Sequence, residues 1–208
     1  MKKYVLDTNF FFNLQIQSGL GNNPREIIEA ITDYAQKLSQ TDKAQFFMPP
    51  SILKEFLTFV SEDDQYVQDF IASVTTQSPH MQSLNVSADI VYKLVEDIRK
   101  RSYRGLQIAE EELTLMGEDM MGKSDLGKIE KQKSFGEHIS KLRERYRNAT
   151  RTKFLDSVAD LDLIILTKEI DGILISSDEG VIEWGRQFGI VELMPNLLKN
   201  QLDQLLQA

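Results

Sequence analysis

The chain has no cysteine among its 208 residues. Disulfides, zinc–thiolate centres and thiol nucleophiles are thereby excluded, and the composition fits a reducing cytoplasm. Histidine is nearly absent as well: His80 and His138 stand alone, without the spacing of a ligand pair, and both are expected at the surface. Ser176 and Ser177 therefore lack an evident imidazole partner, which disfavours acyl transfer. No stretch approaches the ~20 apolar residues of a membrane span. The amino terminus runs directly into a strand-like segment, without the apolar region of a signal peptide. A soluble, cytoplasmic protein with no membrane partner is expected. There is no phosphate-binding P-loop, and Gly19-Leu20-Gly21 does not make a dinucleotide fingerprint. Internal repeats and low-complexity linkers are missing too.

What the chain does have is a set of aspartates at telling places. Asp7 ends the apolar run Tyr4-Val5-Leu6, and Asp178 follows the run Ile173-Leu174-Ile175-Ser176-Ser177. Short apolar runs bounded by polar residues read as buried strands of a parallel sheet. Open α/β sheets bind ligands at the carboxyl ends of such strands. Asp156 and Asp160 are four residues apart, about one helical turn, which predicts a shared helix face. Two carboxylates ~4 Å apart repel by roughly 4 kcal/mol at an effective dielectric of ~20. A cluster of Asp7, Asp156, Asp160 and Asp178 is thus expected to hold a divalent cation. An all-oxygen donor set selects hard ions such as Mg²⁺ or Mn²⁺, and such ions serve phosphodiester hydrolysis. The plainer reading makes these acids strand terminators and helix caps.

Neighbouring acids are less decided. Glu55 either completes the acidic pocket or is solvated on its helix. Asp162 is turned about 200° from Asp160 around a helix and is expected to point away. Glu179 is expected in the first turn of a helix, where its charge suits the dipole. Asn9 either hydrogen-bonds Asp7 or a metal-bound water, or serves the turn.

The formal charge of −8 is unevenly spread. Residues 123–153 hold ten Lys/Arg against four acids, so this window is +6 and the remainder −14. Arg143, Arg147 and Arg151 recur every fourth residue and predict one basic helical stripe ~12 Å long. Such asymmetry is the footprint of an RNA or DNA contact, and a solvated basic face is the alternative.

Helix and strand signals alternate through most of the chain. Asn23-Pro24-Arg25-Glu26 is a helix start, with Asn23 as N-cap and Pro24 at the first helical position, and a helix is expected over 24–39. Strand 44–48, helix 51–60 and helix 65–74 follow. From Leu155 the pattern resumes with a helix, strand 172–177, helix 179–188, strand 190–194 and a leucine-rich helix opened by Pro195. This order predicts an α/β fold with a parallel sheet flanked by helices. Residues 85–150 interrupt it. Val86, Ile90, Val91, Leu94, Val95 and Ile98 form one helical stripe, Gly122–Gly127 a turn, and Phe135, Ile139, Leu142 and Tyr146 a second stripe. We read 85–150 as an inserted helical hairpin in a domain made of 1–84 and 151–208. The hairpin is too thin to own a core, so its stripe needs a partner, either the domain itself or a second copy.

Tyr4-Val5-Leu6-Asp7-Thr8-Asn9, Glu55 on its helix, and Asp160 followed by Ser177-Asp178-Glu179 resemble a PIN-domain nuclease. More closely, Lys3 to Phe12, the Asn23-Pro24-Arg25-Glu26 segment and Asp156-Ser157-Val158-Ala159-Asp160-Leu161-Asp162 resemble the HARP family. These are small prokaryotic protein-only RNase P enzymes, also called RNA ligase partner proteins, and the resemblance covers nearly the whole chain. It implies a metal-dependent endoribonuclease that removes the 5′ leader of precursor tRNA, leaving a 5′-phosphate. Asp7, Asp156, Asp160 and Asp178 would be catalytic, with Mg²⁺ or Mn²⁺ as cofactor. Arg143 and Arg147 would contact tRNA. The hairpin would mediate dimers that assemble into larger homo-oligomers. Two other readings stay open: a toxin-type PIN endoribonuclease, for which the chain is long, and a non-catalytic RNA-binding partner protein.

Overall fold

The computed structural model describes residues 1–15, 17–80, 82, 85–122, 127–151, 154–155 and 157–207, apart from the side chain of Arg151. In chain order its elements are β1 (Lys2–Leu6), α1 (Thr8–Phe12), α2 (Pro24–Gln40), β2 (Ala44–Met48), α3 (Pro50–Phe56), α4 (Gln65–Ser73), β3 (Thr75–Thr76), α5 (Ala88–Met121), α6 (Lys128–Arg151), α7 (Val158–Glu169), β4 (Ile173–Ile175), α8 (Glu179–Gln187), β5 (Val191–Leu193) and α9 (Pro195–Gln207). They fall into two compact units, Met1–Val86 with Lys153–Ala208, and Ser87–Thr152.

The first unit is an α/β domain. Its five strands are all parallel and lie in the order β3-β2-β1-β4-β5. β1 is central, with Tyr4 opposite Phe46 on one side and Leu6 opposite Ile175 on the other. Tyr4, Val5 and Leu6 are fully buried, as a strand covered on both faces requires. Phe11 meets Phe56 and Phe70 edge to face in the core, an arrangement that adds ring-quadrupole attraction to burial. α2 starts as its sequence dictates: Asn23 Oδ1 accepts from the Glu26 amide at 3.0 Å, and the Glu26 carboxylate accepts from the Asn22 amide at 2.7 Å. In α7 Leu163 to Thr167 are all buried, so this helix is covered on every side.

Two elements are shorter than the sequence suggests. α3 ends at Phe56, because Thr58 and Phe59 turn their amides back to Glu55 and Phe56 and the Thr58 hydroxyl takes the Glu55 carbonyl. β4 ends at Ile175, whose carbonyl receives the Asp7 amide at 3.1 Å. Beyond it Ser176 leaves the ladder for side-chain bonding.

The second unit pairs α5 with α6 in antiparallel fashion, through Arg101–Thr150, Glu112–Arg145 and Asp119–Ser134. Few of its apolar side chains are covered within the unit. Ile108 is buried, whereas Val91, Val95 and Ile98 of the expected stripe are more than half exposed. The helices are joined instead by polar groups. Arg145 binds Glu112 at 2.6 Å and also Glu111, and its guanidinium holds the Glu112 carboxyl below the usual range. His138 is not the surface residue expected from its isolation in the sequence. Its side chain is 14% exposed and lies 3.4 Å from Asp119 and 3.9 Å from Glu112. Nε2 is within hydrogen-bond distance of Asp119, while Nδ1 faces Glu112 with no hydrogen bond among the described residues. No described helix is long and apolar enough to cross a membrane.

Candidate active site

Asp7 leaves β1 at its carboxyl end and caps α1. It is 3% exposed. One carboxylate oxygen accepts from the Asn9 amide at 3.3 Å and the other from the Ser176 hydroxyl at 2.5 Å. The Ser176 oxygen in turn accepts from the Asp178 amide at 3.0 Å. Asp178 begins α8, and its Oδ1 takes the amides of Gly180 and Val181 at 2.7 and 3.0 Å. Adjacent strands β1 and β4 thus end in a chain of bonds running from Asp178 through Ser176 to Asp7. Nearby, the Asn13 side-chain amide donates to the Ser177 hydroxyl at 3.3 Å.

Asp160 lies in the first turn of α7, where its amide donates to the N-cap Ser157 at 3.0 Å. The charges of Asp160 and Asp178 both bear on Asp7. Burial pushes the Asp7 carboxyl up to about 7, and the two neighbouring carboxylates add to the rise against the lowering bonds from Ser176 and Asn9. Removing this carboxylate from water while surrounding it with like charge is unfavourable.

The structure therefore brings Asp7, Asp160 and Asp178 within electrostatic reach of one another. Asp156, expected to share a helix face with Asp160, lies outside the described residues. Among the described residues no three acidic or imidazole side chains are close enough together to hold a metal ion. The donor chemistry nevertheless suits a hard cation. The groups are carboxylates, and the ionised form of the most buried one has no cationic partner among the described residues, a charge that a divalent ion would supply.

Other acids take different roles. Asp162 accepts from the Ser51 hydroxyl at 2.7 Å, which ties α7 to the start of α3, and it is not among the charges acting on Asp7. Glu55 is exposed on α3, and partial burial raises its carboxyl; it is not among the charges acting on Asp7. Glu179 occupies the first turn of α8. Arg143 and Arg147 are exposed on α6.

Two residues of the site were not singled out for it from sequence. By sequence Ser176 offers only a nucleophile without a partner, yet it is a buried donor to Asp7. A hydroxyl between a strand and its terminal acid was the available signal. Gly180 is the other. A Cβ there would stand 2.6 Å from the Phe154 carbonyl oxygen, so only glycine lets the segment before α7 rest against the start of α8.

Comparison with known proteins identifies the family. A family model described as PINc domain ribonuclease matches residues 3–207. A protein of Pyrococcus horikoshii named RNA-free ribonuclease P is 35% identical over 207 residues, covering 100% of this chain and 94% of its own length. Proteins of the same name from Nitrosococcus oceani and Thermodesulfovibrio yellowstonii are each 32% identical, covering 99% and 97% of this chain and 96% and 93% of their own lengths. The matches run through both compact units. The chain belongs to the RNA-free ribonuclease P family and is a PIN-domain endoribonuclease.

Proposed function

We propose that this protein cleaves the 5′ leader from precursor tRNA in the cytoplasm, by metal-dependent hydrolysis that leaves a 5′-phosphate on the tRNA. The observation that carries this reading is the Asp7 carboxylate. It is buried, held by Ser176 and set against two further aspartates. Asp7, Asp156, Asp160 and Asp178 would hold Mg²⁺ or Mn²⁺. When bound, such an ion supplies an activated water and offsets the charge developing on the leaving 3′-oxygen. The chain's own work is positioning. Ser176 keeps one Asp7 oxygen oriented, and the α8 amides do the same for Asp178. Arg143 and Arg147 take phosphates of the substrate, and they make no ion pair or hydrogen bond with another described residue.

Within this reading, residues 1–84 and 151–208 form the metallonuclease domain, and the hairpin of 85–150 contributes RNA contact and self-association. The exposed apolar side chains of α5 support self-association, since Val91, Val95 and Ile98 are all more than half exposed. Dimers through the hairpin would assemble further.

The test is cleavage of 5′-labelled precursor tRNA by the purified protein with Mg²⁺ or Mn²⁺, with the cut mapped by sequencing. One cut at the mature 5′ end, abolished by EDTA, is expected. Scattered cuts would identify a PIN endoribonuclease of another specificity. Binding without cutting would leave an RNA-binding partner protein.

A further inference from the structure

The second unit carries a groove that the nuclease chemistry does not use. It runs between α5 and α6, has a volume of about 450 Å³ and is lined by Ala109, Leu142, Arg143, Tyr146, Arg147 and Thr150. Ala109, Leu142 and the tyrosine ring give it apolar walls, and two guanidinium side chains share them.

The ring is firmly seated. A Cβ added at Gly105 would stand 2.5 Å from Tyr146 Cε2, so the ring edge lies directly on the bare backbone of α5. Tyr146 is nevertheless 48% exposed. An aromatic ring fixed along one edge and open elsewhere is preorganised for stacking. The charges around it are equally specific. Arg145 is committed to Glu111 and Glu112, whereas Arg143 and Arg147, one helical turn apart on either side, have no described ionic partner. A second groove of the hairpin is lined by Glu110, Glu111 and Glu118. A polyanion would be repelled there and drawn to the Tyr146 groove.

We propose that this groove binds an unpaired nucleobase of the RNA substrate, stacked on Tyr146, with its flanking phosphates on Arg143 and Arg147. The inference rests on the ribonuclease reading above. It assigns Tyr146 as a positioning residue for substrate and Gly105 as the residue that makes room for it. Base–aromatic stacking tolerates any base but requires one that is free of its helix. The occupant is therefore a loop nucleotide of a folded RNA rather than a duplex segment. An acidic segment of a second copy would need the guanidiniums but not the ring.

The experiment compares wild type, Tyr146→Phe, Tyr146→Ala and Arg143→Ala with precursor tRNA. It measures binding across a salt series and single-turnover cleavage, and maps peptides cross-linked to the RNA by ultraviolet light. Tyr146→Phe is expected to bind like wild type. Tyr146→Ala is expected to weaken binding on the order of tenfold with an unchanged salt slope and an unchanged rate at saturating protein. Arg143→Ala should lower the salt slope by about 1. A wild-type cross-link should join the Tyr146 peptide to an unpaired nucleotide. Wild-type affinity for Tyr146→Ala, with no cross-link to that peptide, overturns the proposal. So does a change in oligomer mass on Tyr146→Ala without any change in RNA affinity, which would make the groove a contact between copies. If Tyr146→Ala loses helicity, the cross-link on wild-type protein decides, its presence supporting the proposal and its absence overturning it. Failure of the wild type to bind or cut precursor tRNA would sink the ribonuclease reading itself, and this inference with it.

Discussion

The Ser176 hydroxyl donates to the Asp7 carboxylate at 2.5 Å across 169 residues of chain. Because the same oxygen accepts from the Asp178 amide, one buried serine sets the relation between the acids that end β1 and β4. Rotation of Ser176 would leave a buried carboxylate oxygen and a backbone amide unsatisfied together, each costing roughly 1–3 kcal/mol. The pair is therefore as much a structural joint as a feature of the candidate active site.

Replacing Asp7 should separate activity from stability. Asp7→Asn is expected to bind precursor tRNA like wild type and to cleave it more than about 100-fold more slowly, the upper end of the loss seen when only an outer partner of a metal ligand is removed. Single-turnover cleavage against filter binding checks this; unchanged cleavage would remove Asp7 from the site.

The pH dependence of stability follows from the same carboxyl. Its folded value of about 7 stands above the ordinary 3.8, so between these limits the folded state holds a proton that the unfolded state has lost. The stabilising contribution is full below the lower value, falls as pH rises, and is gone above the upper one, a loss of about 4 kcal/mol. Metal-free Asp7→Asn should thus match wild type near pH 4 and exceed it at pH 8, with Mg²⁺ or Mn²⁺ narrowing the gap. Urea denaturation of both proteins at the two pH values measures it, and equal stability at pH 8 would contradict the assignment.

Ser176→Ala removes a bond that lowers the Asp7 carboxyl. The acid limb of the pH–rate profile should move to higher pH, with cleavage reduced roughly 10–100-fold at neutral pH. A merely structural loss would lower the whole profile without moving its limb.

Gly180→Ala places a methyl group 2.6 Å from the Phe154 carbonyl oxygen. The backbone has to yield, at a cost of about 1–3 kcal/mol. Thermal unfolding should show the loss, and cleavage should fall more than RNA affinity, because the displaced segment leads into Asp156.

Arg143→Ala and Arg147→Ala should each reduce the slope of log affinity against log salt by about 1. Cleavage at saturating protein should be little changed. Wild-type slopes in both variants would exclude these arginines from phosphate contact.

Much of the α/β domain was legible in the chain. β2 lies at 44–48 and α2 begins at Pro24 as read, because caps, prolines and apolar periodicity act over a few residues. The place of Asp7 was legible for a similar reason: it directly follows the buried strand β1. The helical pair was legible as helices but not in its packing. Apolar stripes marked a face in need of a partner, but nothing in them showed that Glu112, Arg145, His138 and Asp119 join the helices to each other. Residue type and spacing say where a side chain sits on its own helix, and nothing of the partner it meets.

The sequence by itself determined the elements, the absence of thiol chemistry and the candidate acids, since each depends on local pattern or composition. Only the tertiary structure decided that β1 lies beside β4 in the order β3-β2-β1-β4-β5. Ser176 thereby becomes the donor to Asp7, and the carboxyl of Asp7 rises toward neutrality. Strand order, burial and long-range charge are set by how distant segments pack, and no window of the chain contains them.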